Sequence, residues 1–136
     1  MLRKDAKIEL LKRVPLFAEC SKSELEQIAA LADELDLPAE RNLTSEGADG
    51  FEFLVLVEGE ADVVRQGQTV NELGPGDFIG EIALVTGRPR TATVRTRGPS
   101  RILILTATGF RTLMQDVPSI RDKVQAAITA RTDDDE

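Results

Sequence analysis

Apolar positions recur at helical spacing near both ends of the chain and at strand spacing in between. Over residues 3–13, Ile8 and Leu11 share one face, which predicts a short amphipathic helix ended by Pro15. Ser21-Lys22-Ser23-Glu24 has the spacing of a capping box and starts a second helix. Leu25, Ile28, Ala29 and Ala32 form its inner stripe, and Pro38 is expected to close it. From Asn42 the pattern shortens to β-prone runs between glycine turns. Phe51–Val57 is almost wholly apolar and reads as a buried strand. Glu58-Gly59-Glu60 turns it into Ala61–Arg65, and Gln66-Gly67 makes a tight hairpin to Gln68–Leu73. Gly74-Pro75-Gly76-Asp77 is a further turn. Thr91–Thr96 alternates, and Arg101–Leu105 follows the Gly98-Pro99 turn. Phe110–Met114 and Ser119–Ala130 return to helical spacing, the latter with Ile120, Val124 and Ile128 on one stripe. That stripe can pack on the body of the domain or on a second copy.

These elements describe a mainly β domain with flanking helices, a sandwich or roll, over residues 1–132. Helices are expected over 1–37, strands over 38–106 and helices again over 107–132. Residues 133–136 form a short acidic tail.

Composition narrows the chemistry. The 136 residues contain no His, Trp or Tyr. Without His there is no Ser-His-Asp or Cys-His nucleophile and no His-based metal site, and the single Cys20 replaces neither. No metal, cofactor or catalytic residue is therefore expected. No run of 18 apolar residues occurs, and the charged N-terminus does not read as a signal peptide, so a cytoplasmic protein without membrane contact is the expectation. A net charge of −7 argues against general nucleic-acid binding. That charge is uneven. Between Ile82 and Gln115 there is no acidic residue, while Arg88, Arg90, Arg95, Arg97, Arg101 and Arg111 all fall there. Most are expected to be solvated, and one or two to face an anion, for which the arginine fork suits a phosphate better than lysine does.

The segment from Gly76 to Val94 breaks the strand rhythm. Glu81–Val85 are helix formers bounded by Gly80 and Gly87, with room for one helical turn whose free N–H groups suit an anion. Gly80 lets a ligand approach the backbone, and Arg90 follows the rigid Pro89. Glu81 would repel a phosphate but can accept a hydrogen bond from a sugar hydroxyl. One cation for a phosphate and one acceptor for a ribose describe a nucleotide with a single negative charge, as in a cyclic nucleotide. A triphosphate would need more positive charge or a Walker-type loop, and none is present.

The run Phe78-Ile79-Gly80-Glu81-Ile82-Ala83-Leu84 followed by Pro89-Arg90-Thr91-Ala92-Thr93-Val94 resembles the phosphate-binding cassette of the cyclic-nucleotide-binding domain family. Regulatory subunits of cyclic-AMP-dependent protein kinase and catabolite activator proteins belong to that family. Val14-Pro15-Leu16-Phe17 is similar to its N-terminal helical motif. The resemblance implies an eight-stranded β-roll with N-terminal helices, a short cassette helix within 78–94 and a C-terminal lid helix. It implies that Glu81 takes the ribose 2′-hydroxyl and Arg90 the cyclic phosphate, with Gly80, Ile82, Ala83, Thr91 and Ala92 completing the shell. A lid over the base would draw on Ile120, Val124, Ile128 or Arg131, since residues 115–136 hold no aromatic ring. Thr91 suits a guanine amino group, yet the Arg-Thr-Ala-Thr run also accompanies cyclic AMP, which is the preferred ligand here over cyclic GMP. The family often has Gly two residues beyond the position of Pro38, where this chain has Glu40.

The leading expectation is a cyclic-nucleotide sensor whose lid signals to an effector or to a second copy. The alternatives are the sensor part of a Crp/Fnr-like transcription regulator, without its DNA-binding part in these residues, and a degenerate domain that serves as a structural module.

Overall fold

The computed structural model describes residues 4–50, 52–80, 87 and 89–134, and for 4, 5 and 131–134 the backbone only. Helix α1 (Lys4–Lys12) leads into a 3-10 turn (Pro15–Phe17) and helix α2 (Lys22–Leu31). The capping box forms: Ser21 Oγ accepts from the Glu24 N–H at 3.1 Å, and the Glu24 carboxylate accepts from the Ser21 N–H at 2.8 Å. Ile8, Leu11, Leu25, Ile28, Ala29 and Ala32 are all buried, as their spacing predicts.

Helix α2 does not run to Pro38. It stops at Leu31, where Lys7 Nζ donates to the Ala29 carbonyl at 2.8 Å and to that of Ala32. An ammonium on the last carbonyls satisfies groups that a helix C-terminus leaves without partners. Asp33–Leu37 is instead a strand, β1, so the β region begins about five residues before the expected boundary at 38. Its three acidic residues disguise it, since Asp and Glu are poor strand formers.

The other strands are β2 (Asn42–Thr44), β3 (Glu52–Glu58), β4 (Ala61–Arg65), β5 (Gln68–Leu73), β6 (Phe78–Ile79), β7 (Thr93–Thr96) and β8 (Ser100–Thr106). They form two antiparallel four-stranded sheets, ordered β1-β8-β3-β6 and β2-β7-β4-β5. The β4–β5 hairpin turns through Gln66 at φ 53° and Gly67 at φ 79°, the left-handed pair that a two-residue hairpin needs.

Strand β3 explains its continuous apolar run. Leu54 and Leu56 point into the roll with Ala61, Leu73, Val94 and Ile102. Phe53, Val55 and Val57 point the other way, into a helical layer with Leu11, Phe17, Ile28 and Leu113. Each face alone alternates, and burial of both removes the alternation. Helix α3 (Ala107–Asp116) starts at Thr106, whose Oγ1 accepts from the Gly109 N–H at 3.0 Å. Helix α4 (Pro118–Asp134) extends two residues into the expected acidic tail.

The turn before β2 departs from ideal geometry. Glu40 sits at φ 60°, a left-handed conformation that glycine adopts without strain. The buried Thr96 hydroxyl holds the turn: it donates to the Pro38 carbonyl at 2.7 Å and accepts from the Arg41 N–H at 2.8 Å. Glycine at 40 removes a Cβ clash of roughly 1–2 kcal/mol and adds about 0.5–1 kcal/mol of chain entropy to the unfolded state. Glu40→Gly is thus expected to raise the urea midpoint slightly, by up to about 1 kcal/mol in stability. A lowered midpoint would show that the Glu40 side chain stabilises the turn by more than its strain costs.

Candidate functional site

Arg90 lies on the connection between β6 and β7. Its backbone is fixed at both ends by the turn after β2. The Arg90 N–H donates to the Ala48 carbonyl at 2.8 Å, and the Arg90 carbonyl accepts from the Gly47 N–H at 2.9 Å. Its side chain crosses to the other sheet, where Nη2 donates to the Glu52 carbonyl at 2.6 Å. A guanidinium-to-carbonyl bond is charge-assisted and directional, and the carbonyl orients the cation without cancelling its charge.

Gly80 completes this junction. It lies at φ +101°, and a Cβ there would sit 2.5 Å from the Glu52 carbonyl and collide with Arg90 Nη1. The glycine is therefore required twice, by backbone conformation and by close approach. Thr91 is exposed and its carbonyl accepts from Arg65 Nε at 3.1 Å. Ala92 is buried, and its carbonyl accepts from Thr44 Oγ1 at 2.9 Å. The structure thus brings Gly80, Arg90, Thr91 and Ala92 to one place at the edge of the roll. Glu81, Ile82 and Ala83, together with the short helix expected over Glu81–Val85, lie outside the described residues.

The expected lid residues do not join this group. Ile120 and Val124 are 2% and 0% exposed and belong to the helical core with Leu11, Val14 and Phe17. Ile128 is half-buried against the same cluster. The stripe packs within its own chain because α4 lies against the 3-10 turn, where Lys123 Nζ donates to the Pro15 carbonyl at 2.7 Å. In this structure Ile120 and Val124 are covered by their own chain. The side chain of Arg131 lies outside the described residues.

The acid-free stretch dissolves in three dimensions. Arg97 pairs with Asp62 at 2.5 Å, Glu72 at 3.0 Å and Glu60 at 3.3 Å. Arg101 pairs with Asp36 at 2.8 Å and Glu58 at 3.7 Å. The Arg101 hydrogen bond holds the Asp36 carboxyl below the ordinary carboxylate range, and the Asp62 bond raises Arg97. Arg95 Nε donates to Asn42 Oδ1 at 3.0 Å. These arginines tie strands together, whereas the Arg90 fork reaches the Gly80 junction. Arg88 lies outside the described residues. Sequence reasoning missed the Glu52 carbonyl, Thr44 and Arg65. A main-chain carbonyl carries no sequence signal. Arg65 did: it follows Ala61 and Val63 at strand spacing onto the inner face of the roll.

Among the described residues, no group of three or more His, Cys, Asp or Glu side chains is placed to hold a metal ion. None of the helices described is long and apolar enough to cross a membrane.

Two sheets closed into a roll, a helical layer on one of them and an arginine held against a glycine at the roll edge define a ligand-binding β-roll. Residues 34–117 match the cyclic nucleotide-binding domain family, and the chain belongs to it. Over 117 residues, 85% of its length, the chain is 32% identical to the cAMP-dependent protein kinase regulatory subunit of Emericella nidulans. It spans only 28% of that relative. Its fold matches the regulatory domain of Toxoplasma gondii protein kinase A, co-crystallised with cAMP, at a TM-score of 0.79 and 22% identity, covering 97% of this chain and 50% of the other. It also matches the regulatory subunit of a cAMP-independent protein kinase A from Trypanosoma brucei at a TM-score of 0.82 and 20% identity, covering 92% of this chain and 45% of the other. At these identities the two structures establish the fold alone.

Proposed function

We propose that this chain is a regulatory module that binds a cyclic nucleoside monophosphate, cyclic AMP in preference to cyclic GMP, and passes the binding event to an effector. It acts by recognition rather than catalysis, in the cytoplasm. The observation that carries this reading is the junction of Gly80, the Glu52 carbonyl and the Arg90 fork, a preset cation beside a backbone with no Cβ. Arg90 takes the cyclic phosphate, Thr91 and Ala92 contribute to the shell, and Glu81 takes the ribose hydroxyl. Ile82 and Ala83 complete the phosphate side. Any second copy would have to dock on a surface other than the stripe of Ile120 and Val124, which is already filled.

Isothermal calorimetry with cyclic AMP, cyclic GMP and 5′-AMP tests the reading. Binding of the cyclic nucleotides and weak or no binding of 5′-AMP is the expected result. Arg90→Ala removes charge-assisted contacts of about 1.5–3 kcal/mol each, so its affinity should fall at least about tenfold. The alternative is a roll of the same fold that serves as a structural or interaction module and binds no cyclic nucleotide. Absence of heat with both cyclic nucleotides would establish that alternative and end this one.

A further inference from the structure

Strand β7 leaves its β4 partner early. The β4–β7 register runs from Ala61↔Thr96 to Val64↔Thr93, and Arg65 is the last residue of β4. Thr91 and Ala92 therefore lie beyond the end of that ladder, and no main-chain pairing from β4 holds them. Yet they follow Arg90 directly, so any looseness there is passed to the guanidinium.

Three successive carbonyls in this stretch are each held by a different donor. The Arg90 carbonyl accepts from the Gly47 N–H at 2.9 Å, that of Thr91 from Arg65 Nε at 3.1 Å, and that of Ala92 from Thr44 Oγ1 at 2.9 Å. The first and third donors come from β2 and the turn after it. The second comes from β4, on the opposite side of β7. The tip of the β4–β5 hairpin is itself anchored to the β2 side, where the Gln66 N–H donates to Glu46 Oε1 at 2.9 Å. Arg65 is half-buried and its strand is paired on both edges, so the donor is set in place before it reaches Thr91.

We infer that Arg65 is a positioning residue for the anion site: its Nε–H stands in for the missing β4–β7 ladder bond and clamps the Thr91 peptide, and through it Arg90. The inference rests on the cyclic-nucleotide reading for its ligand, but the clamp itself exists without ligand. It also separates two roles for this side chain. A positioning role needs an N–H at the Nε position and not a charge. A direct role toward the anion needs the charge.

Glutamine separates them, because its Nε2 lies the same number of bonds from Cα as arginine Nε and is neutral. The experiment measures amide hydrogen exchange in the unliganded protein and calorimetric titration with cyclic AMP and cyclic GMP, on the wild type, Arg65→Ala and Arg65→Gln. A lost hydrogen bond of ordinary net strength corresponds to a factor of about three to ten. Arg65→Ala should speed exchange at the Arg90 and Gly47 amides by that factor and weaken cyclic-nucleotide binding by a similar one. Exchange at Leu54 and Val55 in β3 should stay unchanged, which shows that the fold is intact. Arg65→Gln should recover most of both losses. Unchanged exchange at Arg90 and Gly47 in Arg65→Ala would overturn the clamp. Restored exchange with unrestored affinity in Arg65→Gln would overturn the positioning role in favour of direct charge. Faster exchange in Arg65→Ala, with no binding even by the wild type, would sustain the clamp and refute the ligand reading separately.

Discussion

Phe53→Ala is expected to destabilise the domain by about 3–5 kcal/mol, the range for removing a buried phenylalanine without refilling its space. Phe53 is 1% exposed and stands where the β1-β8-β3-β6 sheet meets the helical layer. Its ring centroid lies 4.7 Å from that of Phe110 on α3 and 5.5 Å from that of Phe78 on β6. Each such aromatic pair adds about 0.5–1.5 kcal/mol beyond area burial. The cavity would open between a sheet and a helix, both held by other strands and by α4, so neither can collapse fully into it. Since a domain of this size has a total stability of about 5–15 kcal/mol, the variant would be left marginal. Urea unfolding should show a much lower midpoint at nearly unchanged slope. Phe53→Leu should recover more than half of the loss. A cost below about 1.5 kcal/mol for Phe53→Ala would mean that the layers close over the gap and that Phe53 is not the joint between them.

The helices and most strands are legible because their signals are local. Ser21 and Glu24 cap each other across three residues, and Gln66-Gly67 supplies the left-handed pair for its own hairpin. Strand β1 is not legible, because what makes it a strand is elsewhere. Its five residues pair with β8 from Asp33↔Ile104 to Leu37↔Ser100, and Arg101 draws in Asp36. Without β8 the run of Asp33, Glu34 and Asp36 reads as solvated helix end or loop. The same distinction divides the site. Gly80, Pro89 and Arg90 announce themselves by residue type and spacing. The Glu52 carbonyl that orients Arg90 is invisible to any reading of side chains, and Arg65 acts across strands that only the fold makes neighbours. The stripe of Ile120, Val124 and Ile128 is legible as an apolar helix face. What it buries against depends on the 3-10 turn at Pro15–Phe17, more than a hundred residues away in sequence.

Gly80→Ala is expected to abolish most cyclic-nucleotide affinity, by at least the roughly tenfold loss expected of Arg90→Ala, although it removes no functional group. At φ +101° any Cβ is strained, at a cost of about 1–3 kcal/mol. Steric direction then decides which neighbour yields. The Glu52 carbonyl, 2.5 Å from the added carbon, belongs to a strand paired to β8 at Glu52↔Thr106 and cannot shift cheaply. The Arg90 guanidinium is the end of a flexible side chain, so it moves, and its bond to Glu52 is lost. Gly87→Ala is the control: Gly87 also has positive φ, 72°, but among the described residues nothing lies within 4 Å of the added carbon. It should lower stability by a similar strain and leave affinity nearly unchanged. If Gly80→Ala acts through Arg90, the double variant Gly80→Ala/Arg90→Ala should bind no worse than Arg90→Ala alone, because two changes that remove one interaction do not add. Full affinity in Gly80→Ala would show that Arg90 does not need its contact with Glu52 to meet the phosphate. Additive losses in the double variant would place the effect of the glycine on the backbone rather than on the guanidinium.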